Sequence, residues 1–136
     1  MAVVFEVSGQ LAMFRKPYTT TSSISFAFPP PTAIAGLISG IVGISNGSGD
    51  DSCNAKYWEA LSGTKVSVAL LSNISWMWHA INFWNVKQPQ KSPHIQVKHQ
   101  FVIKPKYRIF VDGEIEDKLR YMLEGNCFKF TPYLGT

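Results

Sequence analysis

Basic and aromatic residues are interspersed along a long part of the chain that contains no acidic residue. Residues 60–111 include no aspartate or glutamate, although the whole chain has nine acidic residues, thirteen lysines and arginines, and a net charge of +4. A basic, acid-free stretch is suited to contact with a polyanion. Its basic residues are Lys65, Lys87, Lys91, Lys98, Lys104, Lys106 and Arg108, with His94 and His99 among them.

The aromatic residues in this stretch favour one kind of polyanion. They include Trp76, Trp78, Trp84, Tyr107 and Phe110. Single-stranded nucleic acid is bound by aromatic rings that stack on bases and by cations that contact phosphates, so this combination predicts nucleic-acid binding. The alternative is that the aromatic rings fill the core and the lysines keep a sheet soluble.

Few residue patterns in the chain could support catalysis. The sequence has no GxSxG, HExxH, Walker A or dinucleotide-binding glycine motif, and its three histidines and two cysteines lack metal-ligand spacing. We therefore expect no metal and no cofactor. A metal-independent ribonuclease needs a general base, a cation that stabilises charge on the phosphorane, and a tyrosine or second base. Lys98 and His99 could supply two of these groups, but adjacent residues of a strand point to opposite faces.

Length and composition favour one globular domain. The chain has 136 residues, of which 46% are hydrophobic and 16% are charged. Its longest apolar stretch, residues 33–44, is shorter than the roughly 20 residues that a membrane helix needs. The N-terminus carries Glu6 and lacks the pattern of a secretory signal. Cys53 and Cys127 are typical of free thiols in a reducing compartment, with one disulfide as the alternative. These features predict a cytoplasmic protein.

Hydrophobic periodicity predicts the elements that position these residues in the first half of the chain. Alternation predicts strands at residues 3–7 and 24–28, and an apolar, buried helix is expected at residues 33–45 with Thr32 as its cap. Gly36, Gly40 and Gly43 lower the helix propensity, so we expect close packing there, against either the sheet or the backbone of a ligand. Packing against the sheet is the simpler interpretation.

The second half of the chain is predicted to contain longer strands. Alternation indicates strands at residues 66–70 and 74–78, and residues 85–94 are expected to be a mobile connection or the tip of a long hairpin. The alternation over residues 95–111 predicts an apolar face and a basic face, with a bulge or break at Pro105. The basic face would carry Lys98, Lys104, Lys106 and Arg108.

An amphipathic helix and a short strand complete the predicted fold. Asp112 is a candidate N-cap of this helix, Gly125 is expected to end it, and residues 127–130 are predicted to form the last strand. The apolar stripe of the helix consists of Ile115, Leu119, Met122 and Leu123. The resulting order, βαββαβ, predicts an α+β, ferredoxin-like fold with an antiparallel sheet.

Four segments of the chain resemble a known family. They are FEVSGQLAMFRKPYTT near the N-terminus, FPPPTAIAGLISGIVG at residues 28–43, IQVKHQFVIKPKYRIFV at residues 95–111, and TPYLG at residues 131–135. In this order they are similar to the N-terminal portion of the CRISPR-associated Cas-five family, and the pattern is closest to the branch of type I-B and related systems.

The resemblance implies a fold and a role. The expected fold is the RRM-like ferredoxin domain of the RAMP superfamily with a projecting β-hairpin, formed here by residues 1–136 as one domain. Family members continue into a C-terminal part that this sequence does not include. The implied role is non-catalytic: the protein caps the 5′ handle of CRISPR RNA at one end of Cascade, beside the Cas-seven backbone subunit and the large subunit.

The resemblance also implies one alternative for the site, and the residues themselves leave another open. In the type I-C branch the family member cuts precursor CRISPR RNA with Tyr, Lys and His, for which Tyr18, Lys98 and His99 are the matches here. A third possibility is a structural module whose basic strand face binds a protein. For RNA binding, the projecting hairpin is expected at residues 85–99, and the expected contacts are Arg15, Lys16, Tyr18, Gly36, Gly40, Lys87, Lys91, Lys98, Lys104, Lys106 and Arg108. Arg15 and Lys16 are expected near the N-terminus of the first helix.

Overall fold

Two antiparallel sheets and three helices form from the residues that the computed structural model describes, 2–46 and 55–136. The first sheet has the strand order β1-β6-β3 and the second has the order β2-β5-β4. In chain order the elements are β1 (Val3–Ser8), β2 (Leu11–Ala12), α1 (Pro31–Val42), α2 (Lys56–Ala60), β3 (Lys65–Leu70), β4 (Trp76–Trp84), β5 (His94–Ile103), β6 (Lys106–Asp112) and α3 (Glu116–Glu124). The α+β class with antiparallel sheets is confirmed.

The first sheet forms the main core with α1 and α3. Strand β6 lies between β1 and β3, and its alternate residues Ile109 and Val111 are fully buried. Ile34 and Ile38 of α1 and Leu119 of α3 belong to the same core cluster. Because β1 and β3 are both antiparallel to β6, they run parallel to each other and α1 lies in the connection between them.

The two glycines of α1 do not serve the packing that the sequence predicts. A Cβ atom built on Gly36 or Gly40 would meet no atom within 4 Å, so these positions border open space and the expectation of close helix–sheet contact is wrong there. At Gly43 the neighbourhood is close, but the nearest atoms belong to the Lys129 side chain and not to the sheet. The buried side of α1 is formed instead by its isoleucines and small residues. The predicted Thr32 cap is also wrong, because Pro30 occupies the N-cap position and the structure contains no side-chain cap there.

Helix α3 largely follows the predicted pattern. Leu119 is fully buried, and the other three residues of the apolar stripe pack against the same core. Gly125 ends the helix as expected. Asp112 is not the cap, since Ile115 precedes the first helical residue; the carboxylate of Glu116 instead accepts a hydrogen bond from the Gly113 N–H at 3.0 Å.

The predicted last strand is wrong. Residues 127–130 form no strand, and the N–H groups of Lys129 and Phe130 donate to the carbonyl oxygens of Ile41 and Gly40 at 3.1 and 3.0 Å. The last carbonyl groups of a helix lack partners within the helix, and this segment provides two. The predicted strand at residues 24–28 is likewise reduced to a single bridge between Ser25 and Arg15, and Ser23 just before it forms a bridge with His99.

The second sheet extends into the projecting hairpin. Strands β4 and β5 pair from Trp76 opposite Val102 to Trp84 opposite His94, whereas β2 pairs with only two residues at the base of β5. Residues 85–93 close the hairpin with a hydrogen-bonded turn in which Asn85 Oδ1 accepts from the Gln88 N–H at 3.1 Å. The hairpin is confirmed, and of residues 85–99, where the sequence predicts it, residues 94–99 belong to β5.

The prediction about the two cysteines extends beyond the described residues. Cys53 lies outside them, and Cys127 is an exposed thiol. Among the helices that are described, none is both long enough and apolar enough to cross a membrane.

Candidate nucleic-acid interface

The structure brings three of the predicted site residues to one groove. Arg15, Gly36 and Gly40 line a cavity of about 450 Å³ between α1, the segment after β2, and residues 130–135. We call this cavity the α1 groove. Pro30 and Thr32 also line it, so Arg15 lies close to the N-terminal end of α1 as the sequence predicts.

The walls of the α1 groove combine open backbone with aromatic rings and a cation. The open space over Gly36 and Gly40 leaves the helix backbone accessible on one side, while Phe130 and Tyr133 form part of the other side. The guanidinium of Arg15 donates to the Thr19 carbonyl oxygen at 3.0 Å, which holds it in the exposed loop. A nucleotide fits these groups chemically, since rings stack on a base and a guanidinium binds a phosphate.

A short arm, residues 14–26, connects the α1 groove with the hairpin. Its two sides are joined by hydrogen bonds from the Lys16 N–H to the Ile24 carbonyl oxygen and from the Phe26 N–H to the Phe14 carbonyl oxygen, both 2.8 Å. The N–H of Ser23 then donates to the Lys98 carbonyl oxygen at 2.9 Å. The arm thus forms a continuous surface from Arg15 to β5.

Two other predicted residues lie on this arm rather than in the α1 groove. Tyr18 is exposed near its tip, and the Nζ of Lys16 lies 5.5 Å from the centre of the Phe26 ring. Lys16 is therefore held over an aromatic face, where a cation–π contact stabilises it.

Lys98 and His99 lie on opposite faces of the hairpin. In the register, Lys98 is opposite Ala80 and His99 is opposite His79, so the two side chains alternate as adjacent strand residues must. The ring of His99 stacks with Phe83 and Phe101 at centroid distances of 5.5 and 6.2 Å. The ribonuclease arrangement of Tyr18, Lys98 and His99 does not follow from this geometry, because the cation and the imidazole face apart.

The predicted single basic face is wrong. Pro105 and Lys104, whose φ is +46°, turn the chain out of β5 and into β6, which belongs to the other sheet. Lys98 is therefore on the second sheet, whereas Lys106 and Arg108 are on the first. Strand alternation defines which residues share a face but not which sheet a strand joins, so the break at Pro105 separates the set.

The two basic residues of β6 are paired with an acidic residue that no sequence pattern connected with them. The Nη2 and Nε of Arg108 donate to Glu6 Oε1 at 2.7 and 3.2 Å, and the Nζ of Lys106 lies 3.5 Å from Glu6 Oε2. The hydrogen bond from Arg108, together with the two positive charges, lowers the pKa of Glu6 below its ordinary value. This local pairing reduces the positive charge that β6 presents.

Tyr107, which lies between those two basic residues in the sequence, has a structural role. Its ring is fully buried against Phe14 in a second small core, and its hydroxyl donates to the Ala27 carbonyl oxygen at 2.8 Å. Burial raises the pKa of Tyr107 to about 12. Tyr107 therefore joins the arm to β6. It is an aromatic residue that fills the core, as the alternative interpretation of the sequence predicts.

The tryptophans of β4 belong to the surface. Trp76, Trp78 and Trp84 are all exposed, and their even spacing along an unbroken register places them on the face that also carries Lys98. We call this surface, with its partners on β5, the tryptophan face. The sequence signal was the even spacing of these residues, although alternation alone does not distinguish an exposed face from a buried one. Lys87 and Lys91 lie at the exposed hairpin tip beyond it. Within the described ranges, no group of three or more histidine, cysteine or acidic side chains could hold a metal ion.

Three solved structures show the same fold. A chain of a CRISPR RNA-guided surveillance complex matches with a TM-score of 0.71 and 13% identity, over 100% of this chain and 58% of that one. The crystal structure of a Cas protein matches with a TM-score of 0.65 and 13% identity, over 100% and 57%. The functionally uncharacterized protein SMU1763c from Streptococcus mutans matches with a TM-score of 0.54 and 14% identity, over 100% and 61%. The chain thus spans about three fifths of the length of these proteins.

Sequence comparison identifies the family. No curated protein matches the chain in sequence. The sequence profile of a family described as CRISPR-associated protein (Cas_Cas5) matches residues 2–77, which is more than half of the chain. The matched part includes β1, the arm, α1 with its two groove glycines, and the start of β4. The chain belongs to the CRISPR-associated protein (Cas_Cas5) family.

Proposed function

We propose that this protein is a CRISPR RNA-binding subunit of a type I Cascade surveillance complex and that it caps the 5′ handle without cutting the RNA. Membership of the family supports the CRISPR role, and one structural relative is a chain of a CRISPR RNA-guided surveillance complex. Similarity of the four sequence segments to type I-B members favours that branch. The proposed setting is the cytoplasm, without contact with a membrane.

The observation that carries this proposal is the charge of the projecting hairpin. Strands β4 and β5 and the turn between them lie wholly within residues 60–111, which contain no carboxylate side chain. The positive charges of Lys87, Lys91 and Lys98 are therefore not neutralised by an acidic side chain of the hairpin itself. Such a surface attracts the phosphates of RNA, and the attraction weakens as salt is added.

The α1 groove provides a second contact for the same RNA. In our proposal Arg15 binds a phosphate of the handle, and Gly36 and Gly40 allow the sugar-phosphate backbone to approach α1. The arm then leads the strand from the α1 groove to Lys98 on the hairpin. The Cas-seven backbone subunit and the large subunit are the proposed neighbours in the complex, with the hairpin contacting both the handle and the backbone subunit.

Geometry favours binding over cleavage. His99 is stacked between two rings and faces away from Lys98, so a general base and a phosphate-stabilising cation do not meet at one point. A tyrosine that acts with them would have to reach both faces of the hairpin.

A titration and a gel on the same RNA test this proposal. RNA that carries a repeat is incubated with the protein in EDTA, its binding is measured, and the products are separated on a denaturing gel over time. We expect salt-dependent binding with the RNA intact. A discrete cut within the repeat would identify a processing ribonuclease instead, and weak binding without preference for the repeat would indicate a protein-interaction module.

A further inference from the structure

Three tryptophans share the tryptophan face of the hairpin, and each keeps a large part of its side chain exposed in the described structure. The exposed fractions of Trp76, Trp78 and Trp84 are 40%, 52% and 63%. Residues that are directly opposite in an antiparallel pair lie on the same face. The register is unbroken from Trp76 to Trp84, so all three rings lie on one side.

On the tryptophan face, the β5 residues that lie opposite β4 are polar or basic, except in the row farthest from the hairpin tip. Trp78 is opposite Gln100, the next row pairs Ala80 with Lys98, and the row after that pairs Asn82 with Gln96. At the outer end, the rings of Trp84 and His94 form an edge-to-face contact with centroids 5.3 Å apart. The surface thus combines flat aromatic rings with one cation and several amides, and no acid.

The opposite face of the same hairpin has a different character. Two of its rows pair Ile81 with Val97 and Phe83 with Ile95, and of its two facing histidines His99 stacks with phenylalanine rings of the same face. An apolar protein partner would fit that side. The tryptophan face instead offers separated rings and hydrogen-bonding groups, which suit a ligand that has its own π faces, polar edges and negative charge.

We infer that the tryptophan face is a base-stacking platform for single-stranded RNA. This inference rests on the proposed RNA-binding function and states how the hairpin holds the strand. Trp76 and Trp78, about 7 Å apart as i and i+2 residues of one strand, each stack on a base, and Trp84 stacks on a base nearer the tip. Lys98 lies in the row next to Trp78 on the side of Trp84, and it contacts a phosphate between the bases that stack on these two rings. Because the hairpin has no acidic side chain that would repel phosphates, RNA is favoured over an apolar protein surface as its partner.

The test measures binding of a labelled single-stranded repeat RNA by fluorescence anisotropy. Stacking on one tryptophan predicts that Trp78→Ala and Trp84→Ala each weaken binding by about 5- to 150-fold. Trp78→Phe keeps an aromatic face and should restore most of the affinity. Trp58→Ala is the matched control, because Trp58 is 48% exposed but lies on α2, so its loss should leave the affinity unchanged. Circular dichroism of each variant confirms that the fold is retained.

A second RNA separates stacking from charge. When abasic nucleotides replace the bases, the wild type and Trp78→Ala should bind equally, since no ring has a base to stack on. The slope of the logarithm of the binding constant against the logarithm of the salt concentration should stay unchanged in the tryptophan variants. In Lys98→Ala the magnitude of this slope should decrease by about 0.7, the value for one phosphate of a single strand.

The outcomes distinguish the inference from the proposed function. If the wild type does not bind the repeat RNA, the proposed function is wrong and the inference with it. If the wild type binds but the alanine variants bind equally well, the function stands and the tryptophan face is not the platform. Variants that bind RNA normally but no longer associate with other Cascade subunits would show that this face contacts protein, which also overturns the inference.

Discussion

The guanidinium of Arg108 donates two hydrogen bonds to one carboxylate oxygen of Glu6, directly across the sheet from it, at 2.7 and 3.2 Å. The ammonium of Lys106 approaches the other oxygen at 3.5 Å. One acid therefore holds both basic residues of β6. The hairpin, by contrast, has no acid of its own, so the two basic regions of the protein differ in how freely they attract a polyanion.

This difference predicts unequal effects of lysine substitutions in the two regions on RNA binding. Lys87→Ala and Lys91→Ala should each weaken binding. Each should also reduce the slope of the logarithm of the binding constant against the logarithm of the salt concentration by about 0.7 for each phosphate contact that is lost. Lys106→Ala should have a smaller effect, because Glu6 already neutralises part of that charge. Affinities measured over a range of salt concentrations check this order. Equal slopes for all three variants would contradict the account.

The same ion pair predicts how stability depends on pH. Because the folded protein lowers the pKa of Glu6 below its ordinary value of 4.5, the pair stabilises the fold above that value. This contribution is lost as the pH falls through the lower pKa of the folded state. Glu6→Gln should therefore show a weaker loss of stability on acidification than the wild type. Denaturant unfolding at a series of acidic pH values measures the difference, and identical curves for the two proteins would contradict it.

Tyr107 predicts a complementary effect at alkaline pH. Its pKa is raised to about 12 in the folded protein, so the unfolded chain loses this proton first. Stability should fall as the pH rises from the ordinary tyrosine pKa of 10 toward 12. Tyr107→Phe should remove this dependence, and it should cost about 0.5–1.5 kcal/mol at neutral pH through the lost hydrogen bond to Ala27. A wild-type alkaline transition that persists unchanged in the variant would contradict the assignment.

The groove glycines allow binding and stability to be separated. Gly36→Ala should stabilise α1 by up to about 1 kcal/mol, since its Cβ enters open space and alanine favours the helix. It should also weaken RNA binding, because the added methyl group takes up part of the space through which the RNA backbone approaches α1 in our proposal. Gly36→Phe should fill the α1 groove and weaken binding more strongly while the protein remains folded. Thermal unfolding and RNA titration of both variants check this, and normal binding by the phenylalanine variant would remove the α1 groove from the site.

Gly43 provides the opposite stability control at the C-terminal end of the same helix. Its φ is +86°, and a Cβ there would come within 2.7 Å of the Lys129 side chain. Gly43→Ala should therefore destabilise the protein, because a left-handed conformation is strained for a residue with a side chain. A stabilised Gly43→Ala variant in thermal unfolding would show that the helix does not end as described.

Sequence periodicity predicted most elements but not how they assemble. The alternation over residues 95–111 identified two strands and their break at Pro105, yet it gave no information on which neighbours each strand would have. Lys98 and Arg108 consequently came to lie on different sheets. Period-two alternation defines faces, whereas strand partners depend on contacts that are distant in sequence.

Competition for hydrogen bonds explains the error at the C-terminal end. Phe128 and Phe130 alternate as they would in a strand, but this segment pairs with the carbonyl groups that end α1. The α1 groove was predictable in part, because Arg15 and the two glycines precede and follow the same proline run. The role of Tyr133 in its wall depends on where the last residues fold back, which no local pattern indicates.

The most direct test of the central claim compares two RNAs of identical composition. One carries the repeat-derived handle at its 5′ end, and the other carries the same nucleotides at its 3′ end. The account predicts tighter binding of the first RNA, a preference that Arg15→Ala reduces, and no cleavage of either. Equal affinity for both RNAs would contradict the proposal that this protein caps the 5′ handle.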